Sequence, residues 1–315
     1  MIAPLALGAF AVLVGVAVPR QLSRARWPQR SPRLGVAAWL VFSFSTALSA
    51  VLALAMLAVP ASVAGHGLSD WWHARHGELR HFYGDNNLTV VGVAGIAVGV
   101  VLARLAYTVA VHQRAVTRLR RRQHDGLTLF AAGADDLIVV PHPVPAAYCV
   151  PGRRGRVVMT DSAVQVLAAD QVDAVVAHER AHLSGRHAFF LGAAAVLERA
   201  FGGLVPVFAR SHREIADLVE MIADDAAVRA CPRLRVAEAL LTLARGRAPL
   251  AALAANGSDL PRRIRRLTVP QRPLGLASTL AMLAALTLAL ATPLAAVAGP
   301  VATAAVVTTC TNASH

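Results

Sequence analysis

The stretch Val175–His187, "VVAHERAHLSGRH", contains the side chains of this chain that are best suited to metal chemistry. His178 and His182 are four residues apart, so on a helix they project from one face and can bind one metal ion together. Glu179 lies beside them and can act as a general base toward a water molecule at the metal. The spelling H-E-x-x-H therefore predicts a catalytic zinc site. A chance match is disfavoured because the chain has so few glutamates.

A catalytic zinc also needs a third protein ligand and one open position. The best candidate is Glu220 in the run "VEMIADDAA", with Asp224 one helical turn later on the same face. Asp224 is then placed to accept a hydrogen bond from the non-ligating nitrogen of a zinc-binding histidine. Taken alone, this acidic pair would suit an exposed helix surface equally well.

Three polar neighbours are expected to stay outside this site. Asp225 should be solvated. His187 follows His182 by five residues, which is about 140° around a continuous helix, so it should point away and face the surface or the lipid headgroups. His212 should lie at the surface, with an oxyanion-stabilising role as the alternative.

Short strands and helices surround these residues and predict an α+β domain that is mainly helical with a small sheet. The β-branched run "RVVMT" at 156–160 is typical of a strand. The segment 188–210 reads as a helix and turn lying on or in the membrane. Further helices are expected at about 162–167, 170–186, 213–230 and 235–245.

Composition places this domain in a membrane protein. Hydrophobic residues make up 56% of the 315 residues and charged residues 16%, and the mean hydropathy is +0.53. A soluble domain has about 45–50% apolar and about 25% charged residues. The first apolar segment lacks a basic start and a cleavage site, so we expect an uncleaved anchor. Four segments approach the ~20 residues that cross a bilayer, namely Ile2–Val18, Leu34–Val59, Leu88–Val111 and Leu274–Ala298.

The arginines predict the orientation in the membrane. The net charge is +13 and the chain has no lysine, so the positive charge comes from arginines, which cluster at 20–33, 114–122 and 262–272. Because positive loops stay in the cytoplasm, both termini should be external. The predicted organisation is a three-span membrane region at 1–112, a cytoplasmic peptidase domain at 113–272, and a fourth span with a short external tail at 273–315.

The same clusters predict the partners. They flank the spans, which favours contact with anionic lipid over nucleic acid, and no direct nucleic-acid binding is expected. Arg104 inside span three should either snorkel to the interface or pair with a neighbouring helix. The His- and Trp-containing loop at 61–87 favours an interfacial segment over an external sensor. Cys149 and Cys231 should lie in the reducing cytoplasm and Cys310 on the other side of the membrane, so no intramolecular disulfide is expected. The cysteines are expected to be small buried hydrophobic residues.

Together, "HERAH", "EMIADD", "AYCVPGRRGRVVMTDSAVQVL", "RIRRL" and the flanking spans resemble membrane metallopeptidases of families M48 and M56. The likeness extends to M56, the class of the BlaR1-type peptidases, and covers most of the chain. It implies His178, His182 and Glu220 as zinc ligands, Glu179 as catalytic base and Asp224 as the residue that orients a ligand. It also implies that the strand containing Val157, Val158 and Met159 is an edge that pairs with substrate. The large penicillin-binding sensor of BlaR1-type proteins is not expected after the last span.

The leading hypothesis is a membrane zinc endopeptidase that cuts a cytoplasmic protein, such as a transcriptional repressor. The alternative is a non-proteolytic receptor or scaffold with a structural or vestigial metal site. Glu179 favours the enzyme, because a structural site needs no base. A homo-oligomer is compatible with either hypothesis.

Overall fold

The computed structural model describes residues 2–58, 88–128, 136–152, 155–247, 259–269 and 272–312. This part of the chain is mainly helical and contains one three-stranded sheet, which confirms the predicted fold class. The predicted external loop at 61–87 and the side chain of Cys310 lie outside the described residues.

Four helices of the described chain are long and apolar enough to cross a membrane, as predicted. The first is Ile2–Arg24, built from α1 (Ile2–Val12), a π-helical turn (Leu13–Ala17) and α2 (Val18–Arg24). A short helix, α3 (Trp27–Arg30), follows it. The other three lie within α4 (Pro32–Ala58), α5 (Leu88–Thr128) and the last helix, α12 (Leu276–Asn312). Helix α5 extends beyond its predicted end at 111 and carries the second arginine cluster.

The sheet has the order β1-β3-β2, with β1 (Leu137–Val140) parallel and β2 (Ala147–Val150) antiparallel to β3 (Arg156–Thr160). The prediction that β3 is an open edge is therefore wrong. The runs "LIVV" and "AYCV" supply a neighbour on each side of β3. Its residues Val157, Val158 and Met159 are 0% exposed, as expected for a central β-branched strand. Within the described residues, the side of β2 away from β3 is an open edge.

The sheet leads directly into the helix that carries the H-E-x-x-H residues. The Thr160 side chain caps α6 (Asp161–Val166) by accepting a hydrogen bond from the backbone of Ala163. Helix α7 (Ala169–Ser184) then begins without a capping hydroxyl, and the Gln171 side chain instead accepts a hydrogen bond from the backbone of Ala168. Arg180 of α7 pairs with Asp136 through two 2.8 Å hydrogen bonds, which fix α7 beside the start of β1.

Helices α8 (His187–Phe201) and α9 (Pro206–Ala230) form a hairpin in the segment predicted as a helix and turn. Helix α9 begins at Pro206 rather than near residue 213, because proline suits the first helical turn and the apolar residues that follow it are buried. The hairpin packs against the spans. A Cβ on Gly15 would lie 2.5 Å from Val205 Cγ1, and Arg104 Nε donates to the Ala200 carbonyl. Arg104 thus pairs with a neighbouring helix.

The main hydrophobic core joins this hairpin to the membrane region. Trp39 of α4 is 0% exposed and packs in one cluster with Ile215 and Leu218 of α9. The two helices approach closely at Gly35, where an added Cβ would lie 2.9 Å from Leu218 Cδ1. This core contains residues from both sides of the boundary predicted at 112 and 113, so the helix that carries Glu220 is packed directly on a spanning helix.

Two further helices complete the fold. Helix α10 (Arg233–Arg247) packs against α7, and α11 (Asp259–Thr268) lies between α10 and α9. Arg266 of α11 donates to the Gln29 carbonyl. Arg30 in turn donates to the carbonyls of Arg272 and Pro273, at the start of the last span. The first and third arginine clusters are therefore neighbours.

Candidate metal centre

Two helices bring three potential metal ligands together. Helix α7 presents His178 and His182, whose Nε2 atoms are 3.2 Å apart. Helix α9 presents Glu220, whose Oε2 atom lies 3.4 Å from Nε2 of His178 and whose Oε1 atom lies 3.4 Å from Nε2 of His182. One ligand atom from each of these residues lies within 4.8 Å of the others, and among the described residues they form a group that could hold a metal ion.

These distances fit a tetrahedral ion. Zinc bonds of about 2.0–2.1 Å place neighbouring tetrahedral ligand atoms about 3.3–3.4 Å apart. The two histidine nitrogens, 3.2 Å apart, are close to this spacing, and each of them lies 3.4 Å from a different oxygen of the Glu220 carboxylate. Two imidazoles and one carboxylate leave the fourth position for water or substrate, which is the arrangement of catalytic rather than structural zinc sites.

Asp224 lies behind His178, on the side where the sequence analysis expected it. Its Oδ1 atom is 3.2 Å from His178 Nδ1, the nitrogen that faces away from Glu220. The imidazole nitrogen is buried, and the angle of this contact departs from that of a hydrogen bond. Asp224 is 1% exposed, so a carboxylate is held in the interior next to a ligand histidine. A carboxylate at this nitrogen is the kind of neighbour that orients a zinc-binding imidazole.

Arg263 of α11 is a site residue that the sequence analysis missed. Its guanidinium donates two hydrogen bonds to Asp224, at 2.6 and 2.8 Å, and its Nη1 atom lies 2.8 Å from Glu220 Oε2. One arginine therefore compensates the charge of two carboxylates on successive turns of α9. The signal was present as "RRIRRL" at 262–267, because the arginines at 262, 263 and 266 share one side of a helix and pair with the acidic residues at 217, 220, 224 and 225.

Asp225 is not simply solvated, contrary to expectation. Arg266 donates to both of its oxygens at 2.6 and 2.8 Å. Asp225 faces α11 rather than the metal ligands, because it is one residue, and so about 100°, around α9 from Asp224. Its role in the fold is to hold α11 against α9, which in turn positions Arg263.

The prediction for His187 is also wrong. Helix α7 ends at Ser184, and Arg186 takes a left-handed conformation with φ 50°, so the chain reverses before His187. The helical-wheel argument assumed a continuous helix and does not apply. His187 is 3% exposed, and its Nδ1 atom lies 2.9 Å from Nδ1 of His182.

His212 is paired elsewhere. Its Nδ1 atom contacts Glu198 of α8 at 2.5 Å, and both side chains are about one third exposed. His212 is not a member of the metal-binding group among the described residues. Its position therefore gives no support to a role in oxyanion stabilisation.

Glu179, the candidate base, faces the sheet beside Cys149 of β2. Burial raises the pKa of the Cys149 thiol to about 12, and the nearby Glu179 carboxylate raises it further in the same direction. The thiol therefore stays protonated and can donate a hydrogen bond to Glu179. Cys149 is partly exposed rather than buried, whereas Cys231 is buried as expected.

The pKa values of His178, His182 and Glu220 are shifted far from their usual values. Burial disfavours a charged imidazole, but Asp224 and Glu220 outweigh it and raise the pKa of His178 to about 9. Burial opposes ionisation of Glu220, but His178 and Arg263 lower its pKa to about 2. At His182 burial dominates and lowers the pKa to about 4. Without metal the site thus holds a protonated His178 against an ionised Glu220, and metal binding must release that proton.

Comparison with known proteins supports the metallopeptidase class. Residues 113–216 match the family model described as Peptidase family M48. The match runs from α5 into α9, contains His178, Glu179 and His182, and ends before Glu220. It supports a membrane-associated metallopeptidase related to family M48. No curated protein and no solved structure matches the chain.

Proposed function

We propose that this chain is a membrane-embedded zinc endopeptidase that hydrolyses peptide bonds of a cytoplasmic protein. The observation that carries the proposal is the convergence of His178, His182 and Glu220, with one ligand atom of each within 4.8 Å of the others and Glu179 on the adjacent helical position. Related metallopeptidases use such a ligand set with one open coordination position.

Each residue of the proposed site has a distinct role in peptide hydrolysis. A zinc ion held by His178, His182 and Glu220 would polarise the scissile carbonyl and lower the pKa of water to about 7. Glu179 accepts a proton from the attacking water and transfers it to the leaving nitrogen as the carbon–nitrogen bond breaks. Asp224 and Arg263 hold His178 and Glu220 in place from behind.

The open edge of β2 is the proposed docking site for the substrate backbone. An extended peptide can add to such an edge as a further strand. Cys149 of β2 lies next to Glu179, so a peptide on this edge would pass the proposed base. This assignment moves the substrate-binding role from β3, which is central, to its neighbour.

The cytoplasmic location of the substrate rests on the arginine clusters, which favour the cytoplasmic side for the site. The likeness to family M56 supports regulated cleavage of a transcriptional repressor as the physiological role. The basic clusters beside the spans support contact with anionic lipid.

The decisive experiment compares wild type with Glu179→Gln and with Glu238→Gln, an exposed glutamate of α10 as control. Purified proteins are assayed for bound zinc and for cleavage of labelled casein, a peptide library and the chain itself. We expect one zinc per chain in all three, and a rate reduced about 10²–10⁴-fold in Glu179→Gln alone. Equal cleavage by wild type and Glu179→Gln would instead favour the non-proteolytic scaffold.

A further inference from the structure

His187 lies against the nitrogen of His182 that is turned away from the proposed metal position. The Nε2 atom of His182 faces His178 and Glu220, whereas its Nδ1 atom lies 2.9 Å from Nδ1 of His187. The two rings meet edge to face at 87°, with centroids 4.7 Å apart. This geometry suits a nitrogen–nitrogen hydrogen bond rather than ring stacking.

The local chain is shaped to bring His187 back to this place. Gly185 follows the end of α7, and a Cβ there would lie 2.5 Å from His187 Nε2 and 2.8 Å from the Ala181 carbonyl oxygen. Arg186 then takes the left-handed conformation, which is unfavourable for a residue other than glycine. The reversal seats the His187 ring over the last turn of α7, where it is 3% exposed.

The direction of the hydrogen bond follows from which nitrogen of each ring carries a proton. A histidine that binds a metal through Nε2 carries its proton on Nδ1. His182 is then the donor, and Nδ1 of His187 must be the acceptor, with the His187 proton on Nε2. We propose that His187 is a positioning residue that accepts the hydrogen bond of His182 and thereby directs the Nε2 lone pair of His182 to the metal.

This inference rests on the proposed zinc site and gives its two histidines different supports. His178 is backed by the carboxylate of Asp224, whereas His182 is backed by a neutral imidazole. His187 is not itself a ligand, since its contact is with the far side of the His182 ring and it lies outside the metal-binding group. Loss of a partner of this kind typically weakens metal binding 10–100-fold.

The test compares two substitutions of the same residue. His187→Leu fills the buried space without an acceptor, and His187→Asn offers an amide oxygen close to the position of Nδ1. Zinc affinity is measured on the full-length detergent-purified protein by chelator competition, and the visible spectrum is recorded with Co²⁺ in the site. We expect about tenfold weaker zinc binding and shifted cobalt bands for His187→Leu. His187→Asn should stay close to wild type in both measurements.

His142→Leu is the control, because that exposed histidine contacts Val144 rather than the metal group. Wild-type affinity in His187→Leu, or equal losses in His187→Leu and His187→Asn, would overturn the positioning role while leaving the zinc site intact. A wild-type protein that binds no zinc would overturn the proposed function and this inference together.

Discussion

At the scale of single residues, Arg263 is the cation on which the two acidic groups of α9 depend. Asp224 is 1% exposed, and the Arg263 side chain is 11% exposed. A buried carboxylate is tolerated only while it is paired, and removing one partner of a buried pair typically costs about 3–5 kcal/mol. Arg263 also contacts Glu220, so its removal should disturb the metal ligand as well as the fold.

We therefore predict that Arg263→Met lowers the unfolding temperature of the metal-free protein and weakens zinc binding. Adding Asp224→Asn should recover part of the lost stability, because it removes the unpaired buried charge. Thermal unfolding in detergent and chelator competition measure the two effects. Arg262→Met is the matched control. Its pair with Asp217 is more exposed, so its loss should cost only about 0–1 kcal/mol. Equal losses in the two arginine variants would contradict the special role of Arg263.

At the scale of elements, the register of β2 defines which backbone groups face its open edge. Ala147 pairs with Met159 and Cys149 with Val157, and the Thr160 backbone donates to Ala146. Hydrogen-bonded pairs alternate in an antiparallel ladder, so Tyr148 bonds toward β3. Cys149 then directs its backbone groups toward the open edge, beside Glu179.

We predict that Cys149→Pro impairs substrate binding without unfolding the sheet. Proline removes the outward N–H and is tolerated on edge strands. The KM for a peptide substrate should rise, while zinc content and the unfolding temperature stay close to those of Cys149→Ala, which controls for loss of the thiol. An unchanged KM in Cys149→Pro would exclude this edge as the docking strand.

The α8–α9 hairpin reaches the interior of the membrane region. Helix α8 has 15 residues, which is about 22 Å. The turn after it packs against Gly15, which lies within the first apolar helix about 13 Å along the helix from Arg24. The length of α8 exceeds half of the ~30 Å hydrocarbon core, and the distance from Arg24 to Gly15 is slightly less than half of it. We therefore expect the hairpin tip to lie in lipid.

Leu204 at this tip is 80% exposed and provides a test. Leu204→Asp should reduce the amount of folded protein in the membrane, because an aspartate at bilayer depth costs about 2.5–3.5 kcal/mol on insertion scales. Leu234→Asp on α10 is the control, since that leucine is 63% exposed on the side of the peptidase helices. Membrane yield and unfolding temperature are compared, and equal behaviour of the two variants would argue for a hairpin outside the bilayer.

At the scale of the whole molecule, the spans and the site helices form one packed unit. Helix α4 contacts both α9 and the last span, where Ser45 donates to the Ala289 carbonyl. Helix α11 is linked to the start of that last span through α3, because Arg266 donates to the Gln29 carbonyl and Arg30 donates to the carbonyls of residues 272 and 273. The helix that carries Arg263 and the start of the last span are therefore joined by a continuous series of hydrogen bonds.

The orientation of this unit is the remaining global prediction. A reporter fused after Arg122 should be cytoplasmic, and one inserted near Gly67 should be external, because positively charged segments are retained in the cytoplasm. Paired fusions to a fluorescent protein and to alkaline phosphatase read out the two sides. Phosphatase activity after Arg122 would place the site outside and exclude a cytoplasmic substrate.

The sequence alone determined the four apolar helices, the mainly helical fold and the three residues that could hold a metal ion. Span length and hydropathy are local properties of the chain, fixed by the thickness of the bilayer. The sequence also predicted that His178 and His182 share a helix face, as do Glu220 and Asp224, because the members of each pair are four residues apart.

Only the tertiary structure decided which elements meet. The central position of β3, the return of His187 to His182 and the reach of Arg263 from α11 depend on chain reversals and on packing between distant segments. Helical periodicity describes residues within one continuous helix, so it failed at the left-handed Arg186. The prediction that Asp225 is solvated failed for a related reason. Its partner Arg266 is 41 residues away in sequence, and nothing local to α9 indicates that a second helix will cover it.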